Sequence, residues 1–300
     1  MNPFVAKIIP LILSFFLGIL FKQIKLLKKE DAPIFLRFVL TVSLPALTIL
    51  SIYRAQLNAD MLFIPLSAMI VVFCMYGISN LAGRALKLPK TTFGSFLVGT
   101  MIMNTSYALP FFLARYDNEG FLRASLFDMG NTFLIFTFTY FNAIKYGDNS
   151  KTDKIDWSKF LRLPPLWAMI FAFAIKGFHV PLPPVSIEFL NLIGNPTTPL
   201  IMISLGLYFE PHLSHMGKAL VAVFIRMGLG LCLGIILAWI FGLEGITRTV
   251  VIVTSATPVG FNTLIFANLE NMDREFAATM VSISILFALF YLPFLIYIFG

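Results

Sequence analysis

Ten long apolar stretches recur along this sequence, at about 4–22, 33–53, 61–84, 92–115, 121–146, 163–180, 186–209, 216–242, 247–269 and 273–299, separated by short charged or proline-containing joints. A run of ~20 apolar residues is what a helix needs to cross a ~30 Å hydrocarbon core. Lipid offers the backbone no hydrogen bonds, so each run must satisfy its own as a helix. Composition agrees: 58% of residues are hydrophobic and 12% charged, outside the usual range of a soluble domain. The expectation is an all-α integral membrane protein with ten transmembrane helices. Phe4 to Phe21 lacks a small-residue cleavage site and the next span follows at once, so it reads as a retained helix rather than a signal peptide. The pair 163–180 and 186–209 is crowded by Pro181, Pro183, Pro184, Pro196 and Pro199, and a nine-span reading would merge or lose one there.

A formal net charge of +7 would suggest nucleic acid as the partner of a soluble protein. Here the positive charges collect in alternate joints, which is how orientation in a bilayer is set, and no nucleic-acid partner is expected. Lys22, Lys25, Lys28, Lys29, Arg84, Lys87, Lys90, Lys145, Lys151, Lys154, Lys159, Arg162, Lys218 and Arg274 fall on one side. Lys7, Arg54, Arg115, Arg123, Lys176 and Arg248 fall on the other. Fourteen against six makes the first side cytoplasmic. Both termini are then extracytoplasmic, in a multi-pass protein of the inner or plasma membrane. The longest polar stretch, Gly147 to Leu161, has the mixed charge of a cytoplasmic connector, so 147–162 separates a half at 1–146 from a half at 163–300. Cys74 and Cys232 both lie inside spans, where they serve most simply as packing residues and give no disulfide framework.

The two halves look related. An offset of 153 to 155 carries Pro10 to Pro164, Pro45 to Pro199, Gly77 to Gly230, Leu88 to Leu243, Ala114 to Ala267, Asp117 to Glu270, Asn118 to Asn271 and Ala124 to Ala277. Five spans is an odd number, so the second copy would enter the membrane from the opposite face, as an inverted repeat.

Two spans carry polar interruptions at matching places. Asn104-Thr105-Ser106-Tyr107-Ala108-Leu109-Pro110 breaks the fourth, and Thr254-Ser255-Ala256-Thr257-Pro258-Val259-Gly260-Phe261-Asn262 breaks the ninth. Proline removes one backbone donor and clashes with the carbonyl four residues earlier. Freed backbone groups at membrane depth are tolerated only when buried in protein or lining a cavity. One such break alone would be read as an ordinary proline kink; the symmetric pair favours a binding site. The side chains supplied, Asn104, Thr105, Ser106 and Tyr107 against Thr254, Ser255, Thr257 and Asn262, are neutral hydrogen-bonding groups. Helix N-termini at mid-depth present N–H groups and a partial positive charge, which suits an organic carboxylate.

Asp128 and Arg226 are the charges most clearly inside spans, and each costs ~2.5–3.5 kcal/mol at a helix centre unless partnered or wet. Their depths, roughly 10 Å from the outer face and roughly 15 Å from the inner, are similar enough to allow an ion pair. Asp128 is open to three roles: structuring the broken helix, binding a coupling proton or cation, or pairing within the bundle. Asn131, three residues on, shares its helix face. Arg226 is expected to pair structurally or snorkel rather than touch substrate. His212 and His215 have helical spacing for two metal ligands, but lack a third, and with His179 they read as loop residues. The 33 Phe residues read as lipid-facing and packing bulk. Phosphate-binding loops, HExxH, CxxC and nucleophile elbows are absent, so no cofactor, metal or ATP hydrolysis is expected, and the chain does not read as an enzyme.

Four stretches carry a family resemblance: Leu40-Thr-Val-Ser-Leu-Pro-Ala-Leu47, Asn104-Thr-Ser-Tyr-Ala-Leu-Pro110, Leu126-Phe-Asp-Met-Gly-Asn-Thr132 and Ala267-Asn-Leu-Glu-Asn-Met-Asp-Arg-Glu-Phe-Ala-Ala278. They resemble the auxin efflux carrier family, within the superfamily of bile-acid, arsenite and riboflavin transporters, and the likeness to bacterial-type members runs the length of the chain. The resemblance implies two inverted five-helix repeats, with helices four and nine broken and crossing at prolines. It also implies an elevator-like motion of a transport domain against a scaffold, and a substrate carboxylate meeting Asn104 and Asn262. The large central loop of plant members is missing, and span three lacks the acidic residue some of them have near the site.

The expected function is a secondary transporter of a small organic anion, of malate, malonate or auxin type, with Asn104, Thr105, Ser106, Pro110, Thr257, Pro258 and Asn262 at the substrate and Asp128 with Asn131 as a coupling or structural polar site. Export needs no further energy source, because a membrane potential favours anion exit by ~2.3 kcal/mol per charge per 100 mV. The alternative is a sodium- or proton-coupled symporter of bile-acid transporter type; an intramembrane enzyme built on Asp128, or a channel, is more remote. The partners expected are the anion and the lipid bilayer, with a coupling ion and assembly as a homodimer left open.

Overall fold

The computed structural model describes residues 3–55, 58–148, 164–209 and 216–300. These residues form fifteen α-helices, short 3-10 and π turns, and one isolated antiparallel bridge. In order the helices are α1 Pro3–Gln23, α2 Ala32–Phe38, α3 Leu44–Arg54, α4 Phe63–Ala85, α5 Lys90–Met101, α6 Thr105–Leu134, α7 Tyr140–Tyr146, α8 Pro164–Gly177, α9 Pro184–Gly194, α10 Thr197–Tyr208, α11 Met216–Val223, α12 Gly230–Ile240, α13 Gly245–Ser255, α14 Asn262–Leu269 and α15 Arg274–Phe299. The connector expected at 147–162 falls almost wholly outside the described residues, as do His212 and His215.

Among the described residues, five helical segments are long and apolar enough to cross a membrane: Ala6–Gln23, Lys29–Arg54, Ala59–Ala85, Met216–Ile240 and Arg274–Phe299. Their outward faces suit lipid. Trp239 is 82% exposed, Leu81 74% and Phe224 68%, burdens that a water-facing surface rarely carries in such number.

Several expected spans are not straight helices, and proline explains one of the irregularities. Pro45 sits in the first turn of α3, directly after the π turn Val39–Ser43. The extra residue in a π turn moves the carbonyl that proline would strike and absorbs its missing donor without breaking the rod. A different device divides α6, whose halves meet at Asp117 with φ 51° and ψ −141°.

The chain divides into two compact units, each drawing on both halves of the sequence. The first comprises Met1–Ala59, Ser106–Ser125 and Leu161–Phe209. Within it α1 lies against α10 at glycines: a Cβ on Gly18 would strike the Ile203 carbonyl, and one on Gly206 the Phe15 carbonyl. Small residues let helix backbones approach this closely. Lys176, near the end of α8, donates to the carbonyls of Tyr53 at 3.0 Å and Ala55 at 2.6 Å, closing the C-terminal end of α3. Lysine suits that end because it satisfies orphan carbonyls and offsets the helix dipole.

The second unit comprises Asp60–Thr105, Leu126–Phe160 and Glu210–Gly300. Asp273 caps α15 by accepting from the Phe276 amide at 3.0 Å, and its other carboxylate oxygen accepts from Thr92 at 2.7 Å, so one side chain also anchors α5. Glu270 is buried where it accepts from the Tyr140 hydroxyl at 2.9 Å. Both helical interruptions described next belong to this unit.

Candidate functional site

Helix α5 ends at Met101 and α6 begins at Thr105, leaving Ile102, Met103 and Asn104 outside both. Helix α13 ends at Ser255 and α14 begins at Asn262, leaving Ala256 to Phe261 outside. The two gaps are joined. Met103 and Val259 form an antiparallel bridge, in which the Asn104 amide donates to the Pro258 carbonyl at 2.9 Å and the Gly260 amide to the Ile102 carbonyl at 3.2 Å. Each gap thus supplies the partner that the other lacks in a medium without water.

The outer edges of this short ribbon are closed by side chains. Asn131, on the second half of α6, donates from its Nδ2 to the Met103 carbonyl at 2.9 Å. Ser284, on α15, accepts from the Val259 amide at 3.1 Å. Thr257 donates to the Thr254 carbonyl at 2.7 Å, and Thr254 in turn donates to the Val250 carbonyl, so the last turn of α13 has its carbonyls bonded locally. These threonines repair a helix end.

Asp128 lies one turn before Asn131, half-buried, and its carboxylate accepts from the Thr105 hydroxyl at the first residue of α6. Asn131 Nδ2 also lies 3.3 Å from the Thr105 oxygen. A carboxylate beside a helix N-terminus is favoured by the dipole. The Asn131 Oδ1 is buried and unpartnered.

Arg226 is fully buried in the π turn Phe224–Leu229. Its Nη1 donates to the Thr100 carbonyl at 3.0 Å and its Nη2 to the Ser255 carbonyl. Thr100 lies in the last turn of α5 and Ser255 is the last residue of α13, so one guanidinium spans the C-terminal ends of both interrupted helices. Glycine makes room for it: a Cβ on Gly230 would collide with the Ser255 carbonyl and the guanidinium, and one on Gly234 would lie 2.9 Å from Ile252 Cα. The ion pair that depth alone allowed between Asp128 and Arg226 is not formed. Asp128 turns to Thr105, Arg226 to helix carbonyls, and among the described residues no carboxylate pairs with the arginine.

The residues expected at the site are therefore partly gathered. Asn104, Thr105, Pro258, Asp128 and Asn131 meet around the ribbon, all within the second unit. Thr257 is fully buried beside Pro258, and Asn262 opens α14 as its first residue. Ser106 follows Thr105 directly, and Pro110 lies one turn further on. Both lie inside α6 on the stretch that groups with the first unit, and the first gap precedes Pro110 instead of falling on it. Asn104 stands directly before α6, the position where Asn is favoured as a cap. Sequence reasoning passed over Ser284 and Gly234, and took Gly230 only as the repeat partner of Gly77. The signals existed: the 153-residue offset carries Asn131 to Ser284, and Arg226, Gly230 and Gly234 share one helix face at intervals of four. Among the described residues no three His, Cys, Asp or Glu side chains converge as a metal site would require.

An all-helical chain with several membrane-length helices and two helix breaks stitched together in one unit has the form of a multi-pass membrane transporter. Comparison with known proteins agrees. A family profile described as membrane transport protein matches residues 3–296. An uncharacterized transporter of Methanocaldococcus jannaschii is 27% identical over 299 residues, covering 96% of each chain. A second, from Methanothermobacter thermautotrophicus, is 26% identical over 284 residues, covering 92% of each. The chain belongs to the membrane transport protein family of auxin efflux carrier type.

Proposed function

We propose that this transporter carries a small organic anion bearing a carboxylate, and that the anion is held at the joined gaps by Asn104, Thr105, Thr257, Pro258 and Asn262. The observation that carries the proposal is the bridge between Met103 and Val259. It brings two helix breaks together and surrounds them with amides, hydroxyls and helix ends, groups suited to an oxyanion. The order of elements supports ten spans arranged as two inverted repeats. The division into two units, each drawn from both halves, supports an elevator in which the second unit carries the ligand. Export of the anion, driven by the membrane potential, follows most simply, with both termini extracytoplasmic.

Purified protein in liposomes tests the proposal, with currents and labelled flux scored for monocarboxylates and dicarboxylates. Wild-type flux with a loss of about tenfold or more in Asn104→Ala and in Asn262→Ala is the expected result. Absence of any carboxylate flux or binding, or full activity in both variants, overturns the assignment.

A coupled mode is favoured by one observation, the carboxylate of Asp128 set against Thr105 with the unpartnered Asn131 oxygen beside it. Flux that rises with a sodium or proton gradient, and loses that dependence in Asp128→Asn, would make the carrier a symporter. Flux indifferent to both gradients would leave Asp128 a structural group.

A further inference from the structure

We infer that Arg226 is the specificity-determining charge of the joined helix ends, the residue that makes them prefer an acid to its neutral analogue. The inference rests on the carboxylate reading above and adds a residue to it that lies outside the two gaps. Each helix C-terminus carries roughly half a negative charge. Two of them meet at Thr100 and Ser255, and together they would repel an anion bound where the ribbon joins the gaps. One guanidinium, donating to both carbonyls, offsets that pair.

Three features mark Arg226 as more than a bundle ion pair. It is fully buried, yet among the described residues no carboxylate neutralises it. Its Nε is buried with no partner, so hydrogen bonding alone does not account for an arginine at this position. Helix α12 gives up side chains at Gly230 and Gly234, next to the Ser255 turn, which keeps the guanidinium against the carbonyls. An uncharged donor such as Gln could bond one helix end without any of this. A buried charge is costly, and its retention calls for a role that charge alone can fill.

The test uses two probe pairs on purified protein, malonate with malonamide and indole-3-acetate with indole-3-acetamide, and reads the ratio of acid to amide affinity. Wild type is measured first. If it binds neither acid better than its amide, the carboxylate reading falls and this inference falls with it. Given a wild-type preference, Arg226→Gln should lower the ratio about tenfold while amide affinity changes less than threefold. Arg226→Lys should keep the ratio within about threefold of wild type, with both variants checked for a single elution peak and a cooperative thermal transition. Should Arg226→Gln not fold, Arg226→Lys decides: a retained ratio supports the charge role, and a lost ratio overturns it. Arg226→Gln with the wild-type ratio, or equal loss in Gln and Lys, shows a purely structural tie and overturns the inference while leaving the carboxylate reading in place.

Discussion

The two gaps of the second unit meet the same physical problem with different chemistry. The first is three residues long, its carbonyl edge is closed by an amide from Asn131, and an ionisable side chain, Asp128, stands at the helix that follows. The second is six residues long, contains a proline, and its amide edge is closed by the hydroxyl of Ser284. The shorter gap thus has a carboxylate at the start of the helix that follows it. The longer one relies on threonines that bond their own helix and on the first gap for its ribbon partner. Two helix gaps can thus share one ribbon while, among the described residues, a carboxylate stands beside only the first.

Four substitutions and one control sharpen or break this contrast, all read as thermal unfolding in matched detergent. The largest effect belongs to the end that the gaps have in common. Gly230→Val should cost about 3 kcal/mol, because its side chain meets a backbone carbonyl and a buried guanidinium, neither of which can yield. Gly177→Val, where a Cβ would meet nothing within 4 Å, is the control and should shift stability little. Asn131→Leu comes next at about 2 kcal/mol, since it leaves the Met103 carbonyl unpartnered. Ser284→Ala should cost about 1 kcal/mol, in keeping with hydroxyl contacts between membrane helices. Equal losses from Asn131→Leu and Ser284→Ala would mean that the two edges are equivalent and the contrast fails. The smallest effect is expected outside both gaps: Lys7→Ala removes an exposed pair with Asp117 and should change stability by less than about 0.5 kcal/mol.

Much of the fold was legible because membrane-length apolar runs leave a chain few choices. The joint near residue 117 and the separation of α1, α4 and α15 followed from hydropathy and turn residues. The register of the gaps did not. Pro110 drew attention as the breaker, yet it is accommodated within α6, and the break falls at Ile102 to Asn104, residues that only a partner ribbon could stabilise. Such a partner is a tertiary fact, invisible to local propensity. Arg226 shows the same limit from the other side. Its depth was readable, and an opposite charge at similar depth left an ion pair open as one possibility among several. Two helix carbonyls were the true acceptors, and carbonyls carry no mark in a sequence.

The ribbon has a consequence for motion. A non-helical segment inside a membrane protein would ordinarily be where backbone amides exchange with solvent fastest and where a hinge is sought. Here the amides of Asn104, Val259 and Gly260 each have a protein acceptor, so their exchange should be as slow as that of the flanking helices. Fast exchange at these three amides would show instead that the breaks bend despite their bonds.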